Sequence, residues 1–396
     1  MKKLVLAYSG GLDTSYCARY LSKEKGYEVH AVSVNTGGFS KKELVDMEEK
    51  ALVLGVSSFK AIQAMDDFYE KVVKYLIFGN VLKNNTYPLS VSAERIIQAI
   101  EIVTYAKKIG AQYIAHGSTG AGNDQVRFDM IFQIIAPEIE IVTPIRDMTL
   151  SRESEIAYLK ENGIDFSWEK AKYSINKGLW GTSVGGEETL TSSNPLPSSA
   201  YPSQLEKSTP EQISLGFDKG ELVSINGTIK DPVTNIQELT EIASKYAIGR
   251  DIHVGDTIIG IKGRVGFEAA APLIIIKAHH LLEKHTLSKW QQYQKEQLGN
   301  FYGMLLHEGN YMDEVMRNIE AFLVDTQKNV CGEVFVALHP YRFELNGIQS
   351  KFDLMNASFG NYGETNKAWT GADAKGFIKM LSTPAKIANQ ITNNND

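Results

Sequence analysis

Cysteine is nearly absent: Cys17 and Cys331 are the only two in 396 residues. Two thiols so far apart make neither a disulfide framework nor a cysteine metal site. Each is expected to be a buried apolar thiol, in a chain that lives in a reducing cytoplasm. Long apolar runs are missing too. No stretch approaches the roughly 20 residues of a membrane helix, so no membrane partner is expected. The N-terminus enters a strand-like run at once, which is not the pattern of a signal peptide. Excess positive charge is also lacking: 41 Lys and Arg stand against 47 Asp and Glu, for a net charge of −6. That balance argues against broad nucleic-acid binding, which needs a basic surface. No internal repeat is found. What remains, 43% hydrophobic and 22% charged, is a globular composition, long enough for two domains or one large one.

The densest signal present is at the start. An apolar run, Leu4-Val5-Leu6-Ala7-Tyr8, stops at a Ser9-Gly10-Gly11 corner, and Leu12, Asp13, Thr14 and Ser15 open a helix-like segment. Strand, glycine loop and helix make a phosphate cradle. Glycines let the backbone approach oxygen atoms, and free N–H groups at the helix start face the anion with the helix dipole behind them. Ser9, Thr14 and Ser15 add hydroxyls, and Asp13 can organise the loop or contact a magnesium ion. No Lys follows the glycines, so this is no Walker A loop. Gly10-Gly11 has the wrong spacing for a dinucleotide fingerprint. An ordinary glycine turn explains Ser-Gly-Gly alone but not its company. The stretch resembles the SGG-x-D-[ST] signature of the ATP pyrophosphatases, the PP-loop enzymes, which cleave ATP between its α- and β-phosphates.

The first 165 residues alternate strand and helix. Strand signals lie at 4–8, 28–34, 57–61, 112–116 and 139–143. Ser40 and Glu43 make a capping box for a helix ending near Gly55, and a long periodic segment runs from about 91 to 109. The expected fold class is α/β, a doubly wound parallel sheet in a PP-loop nucleotide-binding domain, with ligands beyond the carboxyl ends of its strands. A helix over 151–162 closes this part. Residues 174–203 lose periodicity and are expected to form a long loop. Short strands are expected at 222–225, 258–261 and 273–276, helices over 281–302 and 311–328, and a strand at 333–338. The tail beyond Lys386 is expected to fray. The organisation expected is a PP-loop domain over 1–165, an α+β synthetase or substrate domain over 166–360, and a C-terminal helical tail over 361–396 that serves oligomerisation.

A second constellation runs from His116 to Phe128. Gly117, Gly120 and Gly122 follow a strand end, and then come Asn123, Asp124, Gln125 and Arg127 before an apolar helix. Asn123 offers donor and acceptor, Asp124 can pair with an ammonium group, and Arg127 can fork onto a carboxylate. Together they suit a zwitterionic amino acid. Helix capping would explain one of them, not four. His116 reads as structural rather than catalytic.

At these residues the chain resembles the argininosuccinate synthase family of N-type ATP pyrophosphatases, ligases that join citrulline to aspartate with ATP in arginine biosynthesis. Ala7 through Ser15 and His116 through Phe128 match its motifs nearly letter for letter. Tyr87, Ser92 and Arg95 match a further segment, and Ser174 and Ser183 keep the spacing of two family serines. Gly363-Glu364 and Asp373 through Ile378 are similar to its C-terminal region. The resemblance implies ATP on Ala7, Tyr8, Ser9, Gly10, Gly11, Leu12, Asp13, Thr14 and Ser15, with Val34 and Gly117 near the nucleotide. It implies aspartate on Thr119, Asn123 and Asp124, and citrulline on Tyr87, Ser92, Asn123, Arg127, Ser174 and Ser183. It further implies Mg2+ with the ATP, a citrullyl-adenylate intermediate, a homotetramer, and no residue acting as covalent nucleophile; none is assigned as general acid or base, and none as a metal ligand of the protein itself.

One departure stands out. The family's Glu and Tyr that touch citrulline align with Gly255 and Phe267. Either another acid such as Glu187, Glu188 or Glu268 takes over, or the substrate is an N-acylated citrulline or another amide or ureido compound. Two rival readings fit the sequence less well. An RNA-modifying PP-loop enzyme needs a basic face, and a thiolase needs reactive cysteine pairs. A nucleotide-binding sensor of the universal-stress type leaves the amino-acid constellation unexplained.

Overall fold

Strand β1 (Lys3–Ala7) has four buried apolar positions in succession, as a strand covered on both faces requires. It lies centrally in a parallel sheet of order β3-β2-β1-β4-β5, with β2 (Glu28–Asn35), β3 (Ser58–Gln63), β4 (Tyr113–Ala115) and β5 (Glu140–Val142). Alternate residues serve opposite faces. Leu4 and Leu6 pack with Tyr16, Cys17 and Leu21 of the helix Leu12–Lys23, while Val5 and Ala7 join the larger core with Ile96, Ile97 and Val103 of the helix Glu94–Lys108. The strand order reverses between β1 and β4, and the crevice at such a reversal is where these sheets bind ligands. Ser9-Gly10-Gly11 leaves β1 there, and His116-Gly117 leaves β4.

The computed structural model describes residues 2–166, 173–356 and 368–394. It divides into two compact units, Met1–Lys351 and Phe352–Asp396. The first also holds two further sheets. One has the order β11-β12-β7-β6, from β6 (Ser174–Gly178), β7 (Gly181–Gly185), β11 (Arg250–Asp256) and β12 (Lys262–Glu268). The other has the order β10-β9-β8-β13-β14, from β8 (Glu211–Asp218), β9 (Glu221–Ile225), β10 (Thr228–Ile229), β13 (Gly332–His339) and β14 (Arg342–Gln349). The second unit contains the helices Gly371–Leu381 and Thr383–Asn393, neither of which has a buried residue.

The capping box of Ser40 and Glu43 is present on the helix Lys41–Val53. Several expectations fail, each for a local reason. Residues 174–185 form a hairpin rather than a loop, because β6 is exposed at four of five positions and carries almost no apolar signal. Residues 258–261 are the turn between β11 and β12, closed by Thr257 and by Gly260 at φ +88°. The apolar run at 273–276 lies within the helix Ala270–Thr286, buried almost all round; periodicity alone cannot separate such a run from a strand. The helix expected over 281–302 is two helices, the second (Lys289–His307) restarted by the Ser288–Gln291 capping box. The tail beyond Lys386 continues as helix to Asn393. Gly363 and Glu364 lie outside the described residues.

Candidate active site

A cavity of about 1120 Å³ opens at the carboxyl ends of β1 and β4. Gly10 turns the chain into it with φ +74°, a conformation that disfavours side chains. Gly11 is the N-cap of the following helix, with extended backbone and no side-chain cap. The Ser15 N–H donates to the Gly11 carbonyl at 3.0 Å, and the amides ahead of it in the first turn have no intrahelical acceptor. Ser9 Oγ lies 3.2 Å from Thr14 Oγ1, which donates to the Gly11 carbonyl. The loop after β4 lies directly on this helix start, since a Cβ on Gly117 would come within 3.2 Å of Asp13 and Thr14 backbone atoms. Asp13 contacts Glu155, a buried carboxyl with Oε2 unpartnered, and burial followed by Asp13 pushes Glu155 up to about 8.

Of the nucleotide residues expected from the sequence, Ala7, Tyr8, Ser9, Gly11, Leu12, Asp13, Thr14, Val34 and Gly117 line the cavity. Two do not. Gly10 faces the Met47 side chain, and Ser15 is fully buried beneath the loop. Thr119, Asn123, Asp124, Tyr87, Ser92, Arg127, Ser174 and Ser183 all line the same space, although they come from elements spread over about a hundred residues.

Their partners refine the expected roles. Asn123 makes no capping bond; its Oδ1 accepts from the Ile258 N–H at 2.9 Å and ties the glycine loop to the turn before β12. Asp124 accepts from Arg95 Nε and from Arg127 Nη1, each at 2.9 Å. Burial alone would raise its pKa, but Arg95 and then Arg127 hold it down to about 2. Arg127 is 3% exposed and donates through Nε and Nη2 to the His307 carbonyl at 3.0 and 2.8 Å. Both prongs expected for a carboxylate are therefore partly engaged within the protein. His116 Nε2 is 2.8 Å from Asp129, and its Nδ1 accepts from the Ser118 N–H, so the proton sits on Nε2 and the ring fixes the loop. Tyr87 donates to the Ser90 carbonyl and Ser92 to the Leu89 carbonyl. Leu89 and Val91 in this segment both sit at φ +63°, strained values for such side chains, of the sort that cluster at functional sites.

Sequence reasoning missed a junction. Gly37 and Gly38, after β2, abut the backbone of Leu179 and Lys177 in the β6–β7 hairpin, and a Cβ on Gly38 would lie 2.3 Å from the Lys177 carbonyl oxygen. The Leu179 N–H donates to the Thr36 carbonyl at 2.9 Å. Beneath this contact Glu94, 1% exposed, accepts from Thr36 Oγ1 at 2.8 Å. Burial, tempered by Arg95 and Thr36, pushes Glu94 up to about 7. An acid whose pKa is raised by folding binds its proton more tightly in the native state. The stability this gives is present below the usual carboxyl range and is lost as pH rises towards 7. Glu94→Gln, which cannot ionise, should therefore gain in Tm on the parent protein between about pH 5 and about pH 8. A Tm difference independent of pH would contradict the assignment. Only glycine spacing and the Glu94–Gln98 side of the helix could have signalled this junction.

The departure at Gly255 and Phe267 is also located. Gly255 lines the cavity; Phe267 is fully buried, paired in register with Ser183 and 5.3 Å from the Tyr87 ring. None of the three acids expected as replacements lines the cavity. Glu268 binds Arg250 and Ser203, Glu188 binds Tyr173, and Glu187 is exposed.

Comparison with known proteins agrees with this geometry. Residues 3–165 match the family model described as the arginosuccinate synthase N-terminal HUP domain, and residues 173–388 match that of the arginosuccinate synthase C-terminal domain. The argininosuccinate synthase of Dictyoglomus turgidum is 36% identical over 382 residues, 96% of each chain. That of Sulfolobus acidocaldarius is 35% identical over 389 residues, 98% of each, and that of Methanocaldococcus jannaschii 36% over 363, 91% of each. With both family models matched in order and the sequence similarity running nearly end to end, the chain belongs to the argininosuccinate synthase family.

Proposed function

We propose the following placement of substrates for the ATP-dependent joining of citrulline and aspartate that this family membership gives the chain. The observation that carries it is the single cavity on which the phosphate-type corner and the amino-acid constellation converge. ATP lies on the β1 loop, its phosphates on the amides of the helix start and the hydroxyls of Ser9 and Thr14. Citrulline lies along Tyr87, Ser92, Ser174 and Ser183. Aspartate lies on the Thr119–Asn123 loop, with Asp124 holding Arg95 and Arg127 in place as well as facing the ligand. The ureido oxygen of citrulline attacks the α-phosphate, pyrophosphate leaves, and the aspartate amino group then displaces AMP from the adenylate. The loop amides take up charge on the phosphates, and the remaining residues hold reactants in line.

Asp13, at the start of the helix on the cavity wall, fits a divalent cation beside those phosphates. Mg2+ there would neutralise charge on the leaving pyrophosphate. The reading extends to a cytoplasmic homotetramer. Two free cysteines suit a reducing compartment. The exposed apolar residues Phe377, Ile378, Met380, Leu381, Ile387 and Ile391 suit assembly through the C-terminal helices. No helix among the described residues is long and apolar enough to cross a membrane.

Gly11→Val tests the nucleotide placement. The backbone of Gly11 is extended and a Cβ there meets only Ser9 Oγ, at 3.5 Å. The fold should therefore survive, while the branched side chain fills space the phosphates need. ATP affinity by calorimetry should fall at least about tenfold, or about 1.4 kcal/mol. Unchanged affinity would sink the placement.

A further inference from the structure

His253 and Gly255, on one face of β11, stand outside these assignments although both line the cavity. The His253 ring is 6% exposed and stacks on the proposed citrulline residue Tyr87, with centroids 5.1 Å apart and planes at 22°. Gly255 is not in the left-handed region, so its backbone admits a side chain. What excludes one is chiefly the ring: a Cβ on Gly255 would lie 2.7 Å from His253 Nε2 and 3.1 Å from its Cε1, with Asn84 Nδ2 next at 3.3 Å. The missing side chain at 255 and the imidazole at 253 thus account for each other.

The ring's polarity follows from its surroundings. Nδ1 is sealed from solvent without a partner, and a sealed N–H costs more than a sealed acceptor. The proton therefore belongs on Nε2, on the side that Gly255 leaves open. Burial and then Lys83 hold the imidazole below its usual pKa, so it is a neutral donor there. Arg264, whose neighbour in register is Val254 on the other face of β11, donates instead to the Glu188 and Asn194 carbonyls. No carboxylate among Glu187, Glu188 and Glu268 lines the cavity.

We propose that His253 is a specificity-determining residue, donating from Nε2–H to an oxygen at the amino-acid end of the ureido substrate, in space that Gly255 keeps free. This rests on the placement of citrulline against Tyr87. The oxygen is either the substrate's own carboxylate or the carbonyl of an acyl group on its nitrogen.

The test compares steady-state kinetics of the full chain and its variants with citrulline, N-acetylcitrulline and N-succinylcitrulline. His253→Ala should raise KM for the ureido substrate at least about tenfold, the size of one lost hydrogen bond to a charged or buried group. KM for ATP and for aspartate should stay within about twofold. His253→Gln, which can place an N–H near Nε2, should recover most of the loss, and it carries the test if the alanine variant fails to fold. A loss confined to the acylated substrates assigns the acyl carbonyl; an equal loss with plain citrulline assigns the carboxylate. Gly255→Ala should cost a comparable factor alone but add less than about twofold on the His253→Ala background. Equal changes in all three KM values, no change in any, or fully additive effects at 253 and 255 would overturn the proposal. Absence of turnover by the unaltered protein with all three ureido compounds would overturn the substrate placement instead.

Discussion

Asp124→Ala should lose about 2–3 kcal/mol of stability and, at the same time, most of its activity. The carboxylate joins two arginines that come from separate helices, Arg95 at 17% and Arg127 at 3% side-chain exposure. Removing it leaves both guanidinium groups without their charge partner beside the cavity. The Asp124 side chain is itself 39% exposed, which keeps the cost below that of a fully enclosed pair. Asp124→Asn keeps the shape and one acceptor and should lose less. Because the folded-state pKa is depressed to about 2, the stabilisation is present above the usual carboxyl range and disappears as pH falls towards 2. Acid-induced unfolding of the parent and the alanine variant should therefore converge at low pH. Kinetically, KM for aspartate and for citrulline should both rise, because the two arginines lose their orientation together. A variant with altered aspartate KM alone would show that Asp124 is a simple ammonium receptor.

Gly178→Ala should be more damaging to activity than a one-carbon change ordinarily is. An added Cβ would fall 1.5 Å from Glu94 Oε1, a separation no packing permits. Either the buried carboxyl or the hairpin must move. Overpacking of this kind costs about 1–3 kcal/mol. The larger effect is on geometry, since the β6–β7 hairpin presents Ser174, Asn176, Lys177 and Ser183 to the cavity. Displacement of about 1 Å at such residues can cost about a hundredfold in rate. Glu94→Ala removes the colliding group. The double variant should regain part of the stability lost by Gly178→Ala alone, whereas purely additive losses would show that the two positions do not meet.

How much of this was legible in the sequence depends on the range over which each feature is encoded. The Ser9-Gly10-Gly11 corner is local: strand, turn and helix follow within a dozen residues, and the parallel sheet follows from the repeated alternation after it. The Asp124–Arg127 pair is three residues apart, but Arg95 joins it across 29 residues, and no spacing rule announces that. Gly37 and Gly38 stand in a polar loop at the edge of the sheet where ligands bind, but neither they nor Gly178 carry a local sign of what they touch. Gly37 and Gly38 allow close backbone approach to a segment about 140 residues away, and Gly178 makes room for the Glu94 carboxyl. The hairpin at 174–185 was hidden because an exposed strand needs no apolar alternation. The run at 273–276 was misread because a helix buried nearly all round and a buried strand are both continuous apolar text. Gly255 was visible as a missing carboxylate. Its relation to His253 appears only when β11 is folded.

In the proposed reaction, citrulline is activated through its ureido oxygen on ATP held by the β1 loop. The most direct test is the fate of that oxygen. Citrulline labelled with heavy oxygen in the ureido group is turned over with ATP and aspartate, and the AMP and pyrophosphate are analysed by mass spectrometry. One labelled oxygen is expected in the phosphate of AMP and none in pyrophosphate, because the oxygen that attacks the α-phosphate leaves with it. Label absent from AMP, or ADP and phosphate formed in place of AMP and pyrophosphate, would contradict this route.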